Sequence, residues 1–207
     1  MTEIIPGILV HTLEELKEKL HLLSWAKKVH IDIMDGKFVP NKTIQLRALS
    51  KILPNMDMQI HLMAYKPHKY ISGCANLGVR EFIFHAEATK KAAETLEMAR
   101  DFGMKAGIAF NPETKMDKDL VRHADIALVM TVHPGYSGQQ LMKRPLHKIA
   151  EIKKRNPAIY VGVDGGINSQ TCRLAAHAGA DFAIATHAVT EAPEPKKAYA
   201  ELIKKCR

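Results

Sequence analysis

Short apolar runs rich in β-branched residues alternate with longer stretches of helical periodicity along the whole 207-residue chain. No other feature limits its fold so strongly, because strand–helix alternation implies a parallel sheet with helices on its faces. Strands are expected at Ile4 to Leu9, Lys28 to Ile33, Met58 to Leu62, Glu81 to His85, Lys105 to Phe110, Ile126 to Val132, Tyr160 to Asp164 and Phe182 to Ala185. Thr12 reads as an N-cap for LEELKEKLHLL, with Glu15 at the capping-box position. AEATKKAAETLEMARDFG ends in Gly103, suited to the left-handed position after a helix. Pro145 in QQLMKRPLHKIAEIKKR fits best near a helix start, and NSQTCRLAAHAGAD opens on Asn168 or Ser169 as a cap and closes at Gly179. Eight strands, each followed by a helix, is the count of a (β/α)8 TIM barrel, here a small one forming a single domain over residues 1–207. A doubly wound open sheet would announce itself by a Gly-rich loop after the first strand, and ILVHT carries no GxGxxG.

The chain is 46% hydrophobic and 25% charged, which suits a globular fold and excludes a disordered or fibrous one. Lys and Arg number 30 against 22 Asp and Glu, a formal charge of +8 that favours anionic partners without choosing among them. The start, MTEIIPGILVHTLEEL, shows no signal-peptide pattern. The apolar runs fall far short of the ~20 residues of a membrane helix. Cys74, Cys172 and Cys206 are scattered and odd in number, which reads as free thiols in a reducing compartment. A cytoplasmic protein without a membrane partner is the expectation.

Active sites of such barrels lie at the C-terminal strand ends. There the second strand carries His30 and Asp32, two residues apart and so on one face; the third carries His61 and the seventh Asp164. A strand-end capping role would explain any one of them alone. Two His and two Asp converging at one mouth instead make a donor set for one divalent cation: Zn, Fe, Mn or Co. Gly-rich loops follow the sixth strand (TVHPGYSGQQ) and the seventh (DGGIN), and Thr186-His187 follows the eighth. Helices starting after these loops would turn their positive ends toward a phosphate. Met34, Met63 and Met130 also stand at strand ends, either as core filler or as an apolar cover over the substrate.

At these positions the sequence resembles the ribulose-phosphate 3-epimerase family. The matching stretches are HIDIMDGKFVPN from His30, HLM from His61, NPET from Asn111, MTVHPGYSGQ from Met130 and VDGGIN from Val163, in order over most of the chain. The resemblance implies a TIM barrel holding one divalent metal through His30, Asp32, His61 and Asp164, with no organic cofactor. It implies Asp32 and Asp164 as the acid–base pair that inverts the carbon next to a ketone through an enediolate, most simply converting D-ribulose 5-phosphate to D-xylulose 5-phosphate. Met34, Met63, Met130 and His61 would line the substrate pocket, and phosphate would lie against the loops of Gly135, Tyr136, Ser137, Gly138, Gly165, Gly166, Thr186 and His187. Family members commonly self-associate, so a homo-oligomer is expected.

Three departures fall where substrate would touch. The family usually has Ser where this chain has Gly7; its PGFGGQ loop is here PGYSGQ, with Ser137 for Gly; and its Gly-Ser pair after the eighth strand is here Thr186-His187. These leave a hexulose 6-phosphate type of substrate, or a sugar-phosphate binder without turnover, as alternatives. A lyase or decarboxylase would place a Lys among the strand-end residues, and none stands with the four ligand candidates. The basic residues of AEIKKR and ELIKKCR read as solvated helix faces, and aromatic content is only 6%, so nucleic acid is not an expected partner.

Overall fold

Eight parallel strands close on themselves in chain order, the last pairing with the first. In this computed structural model, which describes residues 1–52 and 56–206, the strands are β1 (Glu3–Ile8), β2 (Lys28–Met34), β3 (Asp57–Met63), β4 (Glu81–His85), β5 (Lys105–Phe110), β6 (Ile126–Met130), β7 (Tyr160–Asp164) and β8 (Phe182–Ala185). The helices are α1 (Leu13–Leu22), α2 (Ile71–Asn76), α3 (Ala92–Asp101), α4 (Lys118–His123), α5 (His147–Arg155), α6 (Cys172–His177) and α7 (Pro195–Lys205). This is a (β/α)8 barrel, as the alternation predicts.

Both faces of every strand are covered. Outward side chains such as Ile31, Ile60, Phe82 and Val161 pack beneath the helices in one continuous apolar layer. Inward ones, including Ile5, Ile83, Leu128, Phe182 and Ile184, fill the barrel itself. That is why these strands read as nearly unbroken apolar runs. Room inside depends on two glycines: a Cβ on Gly162 would collide with the Phe182 ring, and one on Gly107 would meet Ile83 Cγ1 at 2.6 Å.

The helix ends follow the local signals. Thr12 Oγ1 accepts the Glu15 N–H, and Glu15 Oε2 accepts the Thr12 N–H, a complete capping box. Gly103 and Gly179 both take positive φ just after their helices. Pro145 sits in the 3₁₀ turn that leads into α5. Asn168 Oδ1 accepts the N–H groups of Gln170 and Thr171 one turn ahead of α6.

Three expectations need correction. Between β2 and β3 the described residues form a 3₁₀ turn, Leu46–Lys51, and no α-helix; Gln45 before it makes no capping bond, and Leu49 is its one buried residue, too little apolar face to dock a longer helix. After β8 there is no loop ahead of the next helical element: the chain enters a wide π-type turn at Thr186 itself, Thr186–Thr190. β6 also stops at Met130, short of Val132. Thr131 turns inward instead, its hydroxyl bonding the carbonyls of Asp164 and Gly165 and so tying the sixth strand end to the seventh.

Candidate active site

Parallel register brings the four ligand candidates to the same end of the barrel, with His30 two residues below Asp32. Asp32 pairs with His61 across β2 and β3, and Asp164 ends β7 on the far side of the barrel mouth. Their side chains point inward and meet. His61 Nδ1 lies 3.0 Å from Asp32 Oδ1 and 3.3 Å from Asp164 Oδ2; His30 Nε2 lies 3.4 Å and 3.8 Å from the same two oxygens. One donor atom from each of the four falls within 4.8 Å of all the others.

The protonation pattern of His30 is set from behind. Its Nδ1 faces Gln59 Oε1 at 2.5 Å, and the Gln59 amide nitrogen donates to Glu81 Oε2, which orients the amide so that its oxygen must accept from His30. Lys28 neutralises Glu81 from the other side at 2.7 Å. His30 Nε2 therefore carries a lone pair toward the two carboxylates, and that fully buried atom has no hydrogen-bond partner. A buried lone pair without a donor, beside two carboxylates and a second imidazole, fits a divalent cation of the Zn type. Among the described residues no other such group occurs.

The site is strongly polarised. Burial by itself would raise the Asp32 carboxyl, but hydrogen bonds and charge from His30 and His61 outweigh it and hold the group well below the usual carboxylate range. Burial would lower His61, yet Asp164 and Asp32 outweigh that and raise it to about 9. Asp32 thus remains ionised in a nearly dry floor, the condition for taking a proton from carbon.

Above this floor opens a cavity reached by most of the substrate-pocket candidates. Asp32, Asp164, Met34, Met63 and Met130 form its lower wall; Gly135, Tyr136, Ser137, Gly138, Gly165, Gly166, Thr186 and His187 form its rim. Met34 and Met63 pack with Val39, Leu9 and Phe38, while Met130 belongs to the barrel interior. Gly166 takes φ +67°, and a Cβ there would run into the Leu141 backbone, so the rim loops approach one another through bare backbone. His30 and His61 lie beneath the cavity and do not line it, and neither does Gly7. The Thr186 hydroxyl occupies the space where a side chain at position 7 would begin. On the rim, Glu191 ties two of the unusual residues together, accepting from Ser137 Oγ at 3.1 Å and lying 2.7 Å from His187 Nδ1.

Gln59, His85 and Glu87, absent from the sequence-based set, also belong to the site's surroundings. His85 Nε2 is 2.9 Å from His61 Nε2. The signal for His85 was present: it ends the fourth strand as His61 nears the end of the third, and the same strand-end rule reaches it.

Comparison with known proteins gives a family and a fold. The profile of the family described as "Ribulose-phosphate 3 epimerase family" matches residues 3–190. The chain is 37% identical to ribulose-phosphate 3-epimerase of Mycobacterium leprae, over 96% of this chain and 92% of that protein. It is 36% identical to the Bacillus subtilis protein of the same name, covering 84% of each. Among solved structures, 3-keto-L-gulonate-6-phosphate decarboxylase from Vibrio cholerae superposes with a TM-score of 0.74 at 14% identity, over 99% and 97% of the two chains. The 3-hexulose-6-phosphate synthase of Salmonella typhimurium gives 0.72 at 16%, over 99% and 98%. At those identities the two structures speak for the barrel alone.

Proposed function

The chain belongs to the ribulose-phosphate 3-epimerase family, and from that premise we propose that it interconverts D-ribulose 5-phosphate and D-xylulose 5-phosphate. As a member it is an isomerase, a ketose-phosphate epimerase of carbohydrate metabolism. The observation that carries the reading is the convergence of Asp32 and Asp164 on one imidazole nitrogen, at 3.0 and 3.3 Å, from opposite sides of the barrel mouth.

Inverting a carbon requires a proton to leave one face and another to arrive on the opposite face. A single base could return the proton only to the face it came from. With Asp32 and Asp164 on either side of a planar enediolate, the ionised one removes the proton while the other, protonated, supplies its replacement. His30, Asp32, His61 and Asp164 would hold a divalent cation, and when bound it supplies positive charge to the oxygens of the developing enediolate. Met34, Met63 and Met130 keep water from the reacting carbons. Backbone N–H groups of the loops at Gly135 to Gly138 and Gly165 to Gly166, with Thr186 and His187, receive the phosphate.

The test is conversion of D-ribulose 5-phosphate by the purified protein in D2O, followed by proton NMR with and without chelator. Support is D-xylulose 5-phosphate carrying one deuteron at the inverted carbon and formed only when metal is present. Turnover that survives metal removal, or product without deuterium, overturns the mechanism. Hexulose 6-phosphates in the same assay decide whether Gly7, Ser137, Thr186 and His187 have moved the specificity.

A further inference from the structure

A second line of polar side chains starts at His61 and runs away from the cavity into the barrel wall. The His61 and His85 rings stack with centroids 5.0 Å apart and planes 21° apart, and their Nε2 atoms lie at hydrogen-bond distance, 2.9 Å. One of these nitrogens must donate and the other accept. Both rings are fully buried, so no solvent competes for the bond. On its far side His85 presents Nδ1 to Glu87 Oε2 at 3.5 Å, and that buried nitrogen has no hydrogen-bond partner. A carboxylate can only accept, so a neutral His85 keeps its proton on Nδ1 and offers the Nε2 lone pair to His61. When His61 is neutral, as a cation requires, its proton then sits on Nε2 and the lone pair on Nδ1 faces Asp32 and Asp164.

Glu87 is itself fixed. Its Oε1 accepts the backbone N–H of Asn111 at 2.9 Å. The carbonyls of Asn111 and Pro112 in turn receive the Lys148 ammonium from α5, at 2.6 and 3.0 Å. The NPET stretch, to which the proposed chemistry assigns no task, is thus the anchor of the line, and Lys148, buried despite its charge, is its bolt.

We propose that His85 and Glu87 are positioning residues: they hold the His61 imidazole with its Nδ1 lone pair turned to the two aspartates and so set how tightly the site retains a divalent cation. The inference rests on the metal-dependent reading of that site. It concerns neither the acid–base pair nor the phosphate loops, since His85 and Glu87 are not among the cavity-lining residues. Outer partners of a metal-bound imidazole typically contribute about 10- to 100-fold in affinity.

The full chain, stripped with chelator, is titrated with Co2+, and the visible absorption band and dissociation constant are read for the wild type, His85→Phe, His85→Gln, Glu87→Ala and Glu87→Gln. His85→Phe keeps the stacked ring but loses the acceptor, and it should bind Co2+ about 10- to 100-fold more weakly with a shifted band. His85→Gln, which keeps an acceptor oxygen, should recover much of the loss, and Glu87→Gln should outperform Glu87→Ala. At saturating Co2+ the substrate KM should stay near the wild-type value. Equal Co2+ affinity of His85→Phe and wild type overturns the inference, as does a folded His85→Gln no better than His85→Phe. If His85→Phe fails to fold, the Glu87 pair decides, and indistinguishable Glu87→Ala and wild type overturn it. A wild-type protein that takes up no Co2+ overturns the metal site itself, whereas wild-type uptake with indifferent variants overturns this inference alone.

Discussion

Thr186 stands in the space beside Gly7: its hydroxyl oxygen lies where the Cβ of any larger residue at position 7 would have to go. The two residues are far apart in sequence but adjacent in space, because β8 closes the barrel against β1 with Pro6 opposite Ala185. Gly7 and Thr186 also fall at two positions where the family resemblance implies Ser and Gly. On that resemblance the pair would exchange which strand delivers a hydroxyl to the site.

That exchange predicts coupling. Gly7→Ser alone forces a β-branched, stiff neighbour to move and also crowds Ile184 Cγ2 at 3.0 Å. It should cost about 1–3 kcal/mol in urea unfolding and lower kcat/KM at least about tenfold. Thr186→Gly alone should lower kcat/KM through loss of the hydroxyl. The double variant should recover most of both losses, with a non-additivity of about 1 kcal/mol or more. Additive effects would show that the two positions act independently.

Replacing one aspartate separates the two halves of the reaction. Asp164→Asn or Asp32→Asn should reduce epimerisation by about 10²- to 10⁴-fold, the usual contribution of a positioned acid or base. The remaining aspartate can still remove the proton on its own face. Each variant should therefore continue to exchange solvent deuterium into one epimer and not the other, with opposite choices for the two variants. NMR of both sugar phosphates in D2O checks this. A single-base mechanism would leave no such complementarity.

Much of this site is legible in the sequence, for a physical reason. Strands buried on both faces have to be apolar, so any polar residue on their inward face at the strand end stands out: His30, Asp32, His61 and Asp164 each break an apolar run. His85 breaks one too, but it is the last residue of its strand and its polar neighbour two positions on already lies outside the strand, so it looks like an ordinary strand terminus. Glu87 sits beyond the strand in a 3₁₀ turn, where no periodicity marks its direction. Gln59 looks like a strand residue on the path to His61, and only the register that sets it opposite His30 gives it a task. The contact of Gly7 with Thr186 depends on barrel closure, which no local pattern encodes.

Glu87 should make stability depend on acid pH. Burial alone would raise its carboxyl, but hydrogen bonds from His85, Thr114 and the Asn111 backbone outweigh that and lower it from 4.5 to about 2. A folded-state value below the unfolded one means a contribution fully present above about pH 4.5 and lost as pH falls toward about 2. With 24% of the side chain open to solvent, the full shift is partly screened, and about 2 kcal/mol is expected at pH 7. Glu87→Gln should be less stable than wild type by that amount at pH 7, with the gap closing as the pH approaches about 2. Urea unfolding of the metal-stripped proteins across that range measures it. A gap independent of pH would mean that packing, and not charge, holds Glu87.

Gln59 should matter to stability out of proportion to its distance from the cavity. It is fully buried, and its amide is committed at both ends, accepting from His30 and donating to Glu81, whose other oxygen holds Lys28. Gln59→Leu keeps the volume but strands two buried polar groups, the His30 Nδ1–H and one oxygen of Glu81, each worth about 1–3 kcal/mol when unpaired. A loss of about 2–4 kcal/mol in urea unfolding of the metal-stripped protein is expected. Gln59→Glu is near-isosteric and still accepts from His30, but it sets a second carboxylate against Glu81 in a dry interior, where Lys28 can compensate only one charge; it should be at least as damaging. Restoring order in that background requires removal of the opposing charge, so Gln59→Glu combined with Glu81→Gln should regain stability over Gln59→Glu alone. If the pair instead adds its losses, the line from His30 to Lys28 is not the coupled unit that the hydrogen bonds describe.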